Sequence, residues 1–290
     1  MPRWRVWLLA ARPRTLPAAV TPVLVGTALA VSRGKFDPLV FVATLAVSLL
    51  LQIGANFAND VFDFLKGADV ARRGPTRVTQ SGLLSSREML LSTGAIFALA
   101  AIAGLYLVSV GGMPFLVIGA LAILSALAYT GGPWPLGYHG LGDVFVFIFF
   151  GLVGVVGVYY LQAREVALEA VAASIPVGLL ITNILVVNNL RDIETDRAAG
   201  KRTLAVRFGD KATRRQYAML LILSYLTVAA LFPSRGLLVL LPFALAPMAW
   251  RLASDVVTNR HAPAFNPLLA RSAQFSLLFG ILFALGLLAS

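Results

Sequence analysis

The sequence predicts an all-α integral membrane protein, with nine transmembrane helices in one bundle and two Asp-rich motifs at the cytoplasmic ends of helices 2 and 6. Three observations lead there. Apolar residues make up 59% of the 290 residues, charged residues only 13%, and mean hydropathy is +0.84. A soluble domain carries roughly 25% charge, so this chain cannot cover its outside with charge and lipid must cover it instead. The apolar residues gather into stretches near the ~20 residues that cross a ~30 Å hydrocarbon core. The basic residues, finally, concentrate on alternate connections. A soluble enzyme, a disordered regulator and a secreted disulfide scaffold are excluded. Without Cys there is no thiol catalysis and no Cys-ligated zinc.

In chain order the predicted spans are 16–32, 38–59, 89–109, 113–130, 142–162, 166–189, 216–233, 236–253 and 268–288. Helices satisfy their own backbone hydrogen bonds in lipid, and the strict alternation of barrel strands is absent. Gly111-Gly112-Met113-Pro114 separates spans 3 and 4, and Phe232-Pro233-Ser234 separates spans 7 and 8. Twenty of the 24 Lys and Arg lie in the N-terminal segment and the 2–3, 6–7 and 8–9 loops. The positive-inside rule puts those segments in the cytoplasm and Ser290 outside, in the cell (inner) membrane. That topology also accounts for most of the +11 net charge without nucleic acid. The first span has no cleavable signal pattern. Residues 1–290 read as a single domain.

Seven of the 13 acidic residues fall in or just after two short windows, Asp60, Asp63 and Asp69 in the first and Asp192, Glu194 and Asp196 in the second, with Asp210 shortly beyond it. The first runs from Asn56 through Asn59, Asp60, Asp63 and Lys66 to Asp69; the second from Asn188 and Asn189 through Arg191, Asp192, Glu194 and Asp196 to Lys201 and Arg202. At 100° per residue, Asn56, Asp60 and Asp63 fall within about 60° of one another on a helix, and Asn188, Asp192 and Asp196 within about 80°. Each helix then presents a strip of oxygen ligands followed by a basic loop, an internal repeat of one device.

Several carboxylates on one face near a membrane repel unless they meet water, a partner or an ion. Oxygen ligands favour Mg²⁺ or Mn²⁺ over zinc. Mg²⁺ commonly bridges one or two carboxylates to substrate phosphates, and the neighbouring Arg and Lys supply phosphate donors. The pattern fits a diphosphate site, and in so greasy a bundle a prenyl diphosphate. A set of interloop salt bridges is the plain alternative, weakened by the duplication. A secondary transporter would place acids in mid-span, and spans 1, 3, 4, 7, 8 and 9 have none in their apolar centres.

The two motifs resemble those of the UbiA superfamily of intramembrane aromatic prenyltransferases, over nearly the whole chain. Further segments are similar to the branch that prenylates 1,4-dihydroxy-2-naphthoate in menaquinone biosynthesis. They are Ala11 to Pro17, Arg73 to Gly82, Tyr129 to Asp143 and Asn188 to Gly209. The resemblance implies transfer of a polyprenyl group from its diphosphate to that ring with loss of CO₂, giving demethylmenaquinone. Acceptors such as 4-hydroxybenzoate or homogentisate, used by sister branches, are the nearest alternative. The resemblance also implies Mg²⁺ ligands at Asn56, Asp60, Asp63, Asp69, Asn188, Asp192 and Asp196, with Asp60, Asp63, Asp192 and Asp196 catalytic. Lys66, Arg73, Arg77, Lys201 and Arg202 stand where diphosphate-binding cations are expected. Arg12 and Arg14 are candidates for the acceptor carboxylate, and Tyr129 for facing an allylic cation with its ring.

Overall fold

In a computed structural model of the chain, the described residues are 1–68, 74–259 and 261–290, and all regular structure among them is helical. The sequence dictates where each helix starts and stops. Helix α1 (Arg3–Ala11) ends at Arg12, a non-glycine residue with φ 51°. A turn through Pro13 leads into α2 (Pro17–Val31), and the segments Arg3–Thr15 and Pro17–Val31 meet at 51°. Helix α3 (Pro38–Leu65) begins with Pro38 at N1 and with the Asp37 carboxylate accepting from the N–H of Leu39 and Val40, which satisfies two otherwise orphaned donors. Helix α4 (Ser86–Gly111) starts at a capping box between Ser85 and Glu88. Gly112, at φ 80°, then turns the chain directly into α5 (Met113–Thr130).

Helix α6 (Gly142–Ala163) widens to π-type hydrogen bonding over Phe147–Val156. It packs on α2 and on α7 (Leu168–Arg191). A Cβ on Gly151 would lie 2.8 Å from the Cα of Gly178 on α7, so glycine lets the two backbones touch. A short helix, α8 (Ile193–Ala198), precedes α9 (Leu204–Ala230), which breaks at Gly209, φ 81° and ψ 175°. Helix α10 (Leu237–Thr258) opens with a 3₁₀ stretch around Pro242, and α11 (Phe265–Leu288) closes the bundle.

Among the described residues, eight helices are long and apolar enough to cross a bilayer, or nine if the bent pair at the N-terminus counts as one span. Helix α7 is the enclosed centre, packed on α6, α9 and α11. Helix α5 is almost wholly peripheral, and it turns Leu116, Val117, Leu121 and Leu124 outward. In water such a face would aggregate; in lipid it costs nothing to expose. The predicted spans overlap these helices, the first with the second half of the bent pair, and several ends differ: α3 runs six residues past the expected 59 and α10 five past the expected 253. Helix α9, the seventh expected span, starts twelve residues earlier than the expected 216, because Thr203 caps it and its polar first turns lie beyond the apolar run. The second acidic strip is not one continuous helix. Helix α7 ends at Arg191, Asp192 has φ −99° and ψ 10°, and α8 restarts at Ile193.

Candidate active site

One cavity of about 430 Å³ runs into the bundle from the end where α3 and α7 finish. Its inner wall is apolar, with Val47, Leu51, Leu107, Phe149 and Ile184 among the contributors. Its mouth is polar: Asn56, Asp63, Asn188, Asp192, Asp196, Arg77 and Lys201 all face it. A long apolar tail bearing an anionic head matches that division.

The two acidic motifs meet there. The Lys201 ammonium donates to Asp63 Oδ1 at 2.9 Å and stands 4.0 Å from Asp196 Oδ1. Arg77 Nη2 holds the other oxygen of Asp63 at 2.8 Å. Tyr138 also donates its hydroxyl to Asp63 Oδ1, at 2.9 Å. Asp63 and Arg77 are both nearly inaccessible to solvent, and breaking a pair so buried strands a charge at a cost of about 3–5 kcal/mol. On the second motif Arg191 grips Asp192 with two bonds, 2.8 and 2.6 Å, and Asn188 Oδ1 accepts from the same guanidinium at 2.9 Å. Arg191 in turn donates to Asn266 on α11 at 2.9 Å, which fixes the tip of α7.

Other expected residues take different positions. Asp60 is 1% exposed, is not on the cavity wall, and accepts from the N–H of Val78 and Thr79 at 3.2 and 3.0 Å. It anchors the segment that carries Arg77, and Arg12 approaches it at 4.0 Å. Asn56 donates to Ala11 O and Thr15 Oγ1, so the first motif also locks the turn at Arg12. Arg12 lines the cavity whereas Arg14 is exposed and off its wall. Lys66 donates to Gly132 O at the rim. Burial pushes its ammonium below the usual lysine value and the charge of Lys201 adds to that, while Asp63 acts against both. Arg202 is exposed and gives its backbone N–H to Tyr138 O. Tyr129 lines the cavity with its hydroxyl against Gly142, where a Cβ would come within 2.6 Å of it. Asp69 and Arg73 lie outside the described residues.

Sequence reasoning did not single out Tyr138 or Arg191. The only signal for Arg191 was its place beside Asp192; Tyr138 carried none beyond a Gly- and Pro-rich turn.

Among the described residues, no three acidic or His side chains stand close enough to share one metal ion. The donors present still suit a hard cation that brings its own phosphate ligands. They offer oxygens, the carboxylates of Asp63, Asp192 and Asp196 and the amides of Asn56 and Asn188, from both motifs to one cavity. A positive charge, the Lys201 ammonium, already stands between carboxylates of the two motifs.

Comparison with known proteins matches a UbiA prenyltransferase family model to residues 19–278. The chain is 40% identical over 297 residues to a 1,4-dihydroxy-2-naphthoate octaprenyltransferase of Escherichia coli, covering 99% of this chain and 96% of the relative. It is 39% identical over 284 residues to the protein of that name from Mycobacterium tuberculosis, covering 98% and 96%. Among solved structures, a UbiA homolog from Archaeoglobus fulgidus bound to GPP and Mg²⁺ superposes with TM-score 0.69 at 16% identity, over 98% of this chain and all of that one. An apo UbiA homolog from Aeropyrum pernix gives 0.71 at 19% identity, over 93% and 96%. Those two likenesses concern the fold.

Proposed function

The chain belongs to the UbiA prenyltransferase family, and from that premise we propose that it transfers a polyprenyl group from its diphosphate to 1,4-dihydroxy-2-naphthoate. CO₂ and diphosphate leave, and demethylmenaquinone is formed in its reduced state. The observation that carries this reading is the union of both acidic motifs, through Lys201, at the mouth of an apolar cavity. The named relatives supply the acceptor and the polyprenyl donor.

The prenyl tail lies along the apolar wall, where each buried CH₂ contributes about 0.8 kcal/mol. Asp63, Asp192 and Asp196, with Asn56 and Asn188, would hold Mg²⁺. Mg²⁺ supplies charge stabilisation for the departing diphosphate. Lys201, Arg77 and Lys66 at the mouth and rim add donors for the same developing charge. Asp60 acts from behind, by fixing the segment that presents Arg77. Asp69 and Arg73 complete the set implied by the family motif. Tyr129 presents its ring to the allylic carbon, and the apolar wall excludes the water that would otherwise capture it.

All 290 residues act as one domain of nine spans in the cell membrane, with the N-terminus and the acidic end in the cytoplasm and Ser290 outside. Basic residues crowd the segments that ring that end, in accord with the positive-inside rule. The chain has no native Cys, so a lone Ser290→Cys can be labelled without background. It is expected to react with an impermeant maleimide added to intact cells.

The deciding assay combines purified protein, Mg²⁺, a prenyl diphosphate and 1,4-dihydroxy-2-naphthoate. Release of CO₂ and diphosphate with formation of the prenylated ring is expected, and chelation should stop it reversibly. Consumption of 4-hydroxybenzoate alone would move the enzyme to a sister branch. Flux of an intact substrate without bond cleavage would make it a transporter.

A further inference from the structure

The 3₁₀ turn Leu136–His139 between α5 and α6 is fastened from several directions. Tyr138 N–H donates to Pro135 O at 3.0 Å, and Tyr138 O accepts the N–H of Arg202 at 2.8 Å. The His139 ring stacks on Trp134 at 4.1 Å, and His139 O accepts from Arg207 Nη2 at 2.8 Å. Arg202 and Arg207 belong to the stretch after the second acidic motif. A turn held this way by Trp134 and Pro135 just before it, by Arg202 and by Arg207 on α9 fixes the ring of Tyr138 in the cavity wall.

Three charged groups then converge on one phenol. Its hydroxyl bonds Asp63 Oδ1 at 2.9 Å, the oxygen that Lys201 also takes. The ammonium groups of Lys201 and Lys66 lie 4.7 and 5.0 Å from its ring centroid. Two like charges so close repel, and the negative ring face offsets part of that repulsion. A leucine would fill the space and do neither job.

We propose that Tyr138 is a positioning residue for the anionic end of the cavity: its hydroxyl sets the Asp63 carboxylate, and its ring seats Lys201 and Lys66 to receive the diphosphate. The inference rests on the diphosphate reading of this cavity. It assigns the phenol no bond-making step. The two halves of the side chain have separable duties, so Phe and Leu at position 138 should behave differently.

The test uses the full chain in nanodiscs with Mg²⁺, with two readouts: steady-state turnover of geranyl diphosphate and 1,4-dihydroxy-2-naphthoate, and equilibrium binding of inorganic diphosphate. Tyr138→Phe should lower kcat by about tenfold, the scale of one hydrogen bond to a charged group. It should leave diphosphate affinity within about twofold, since the ring remains. Tyr138→Leu should in addition weaken diphosphate binding by about tenfold. The KM for the acceptor should hold in both. In the double variant Tyr138→Phe/Lys201→Gln the losses should fall short of the product of the single losses, because both donors share Asp63 Oδ1. This cycle decides the matter even if the Leu variant does not fold. Identical behaviour of Phe and Leu, fully multiplicative losses, or a change confined to the acceptor KM would overturn the proposal. A wild-type protein that binds inorganic diphosphate but transfers no prenyl group would instead sink the proposed function, and the binding arm would still judge Tyr138.

Discussion

Two charged clusters sit in this bundle, one at each end of α7. At the far end Arg33 pairs with Glu165 and Glu169 at 3.1 and 2.6 Å, Arg235 also binds Glu169, and Tyr159 donates to Glu165 at 2.6 Å. Two cations meet two anions, the net charge is zero, and none of the four lines the cavity. At the near end Asp63, Asp192 and Asp196 are held by Arg77, Arg191 and Lys201, and all but Arg191 open on the cavity. The side-chain chemistry is the same. What separates a staple from a site is whether the paired groups also face an enclosed space with an apolar extension. Ion pairing by itself would have ranked the two ends alike.

The sharpest way to break this contrast is to neutralise one acid at each end. Asp63→Asn or Asp192→Asn should lower turnover about a hundred- to a thousandfold, the scale seen when one preorganised charge-stabilising group is removed. Glu169→Gln should leave the rate within about twofold, because Glu169 and its two arginine partners stand off the cavity wall. Steady-state assays on equal amounts of folded protein check both. Comparable losses at the two ends would erase the distinction.

Asp60 sharpens the comparison within a single motif. Asp60→Asn sets an amide donor against the N–H of Val78 or Thr79 and should cost about 1–3 kcal/mol of local stability. Faster hydrogen exchange at Val78 and Thr79 is expected, together with a fall in turnover through Arg77. Asp63→Asn, which leaves both bonds to Asp60 in place, should speed the exchange of those two amides less than Asp60→Asn does.

Smaller effects belong to the far cluster. Arg33→Gln should lower the thermal midpoint by an amount equivalent to about 1 kcal/mol or less, with unaltered KM values. The smallest is a pH effect. The hydroxyl of Tyr159, helped by Arg33, holds the Glu165 carboxyl below its usual value. A group lowered on folding contributes stability above its unfolded pKa and loses it as pH falls through the folded value. Tyr159→Phe should therefore flatten the acid limb of a melting-temperature profile and leave the neutral plateau nearly unchanged.

The bundle was legible in the sequence because lipid demands long apolar helices, and composition alone exposes them. The acidic motifs were legible because Asn56, Asp60 and Asp63 repeat at helical spacing. The rest depends on contacts that no local pattern encodes. Asp63 meets Tyr138 and Lys201 from 75 and 138 residues away. The break at Asp192 has no glycine or proline to announce it, and the guanidinium of Arg191 folds back onto its neighbour there. Arg12 and Arg14 are equal on paper, and only the turn locked by Asn56 turns Arg12 toward the cavity and leaves Arg14 outside.

The widened turns of Phe147–Val156 carry a consequence of their own. A π segment is an α-helix that has accepted an inserted residue, and this one supplies Phe149, Phe150 and Val153 to the tunnel while Gly151 stays against Gly178. Deleting one residue there would tighten the coil and rotate everything on one side of it by about 100° relative to the other. The bore available to an isoprenoid chain would thereby change with no point substitution at all. Length variation in this stretch is thus a route by which such a tunnel could be re-gauged while its acidic mouth stays the same.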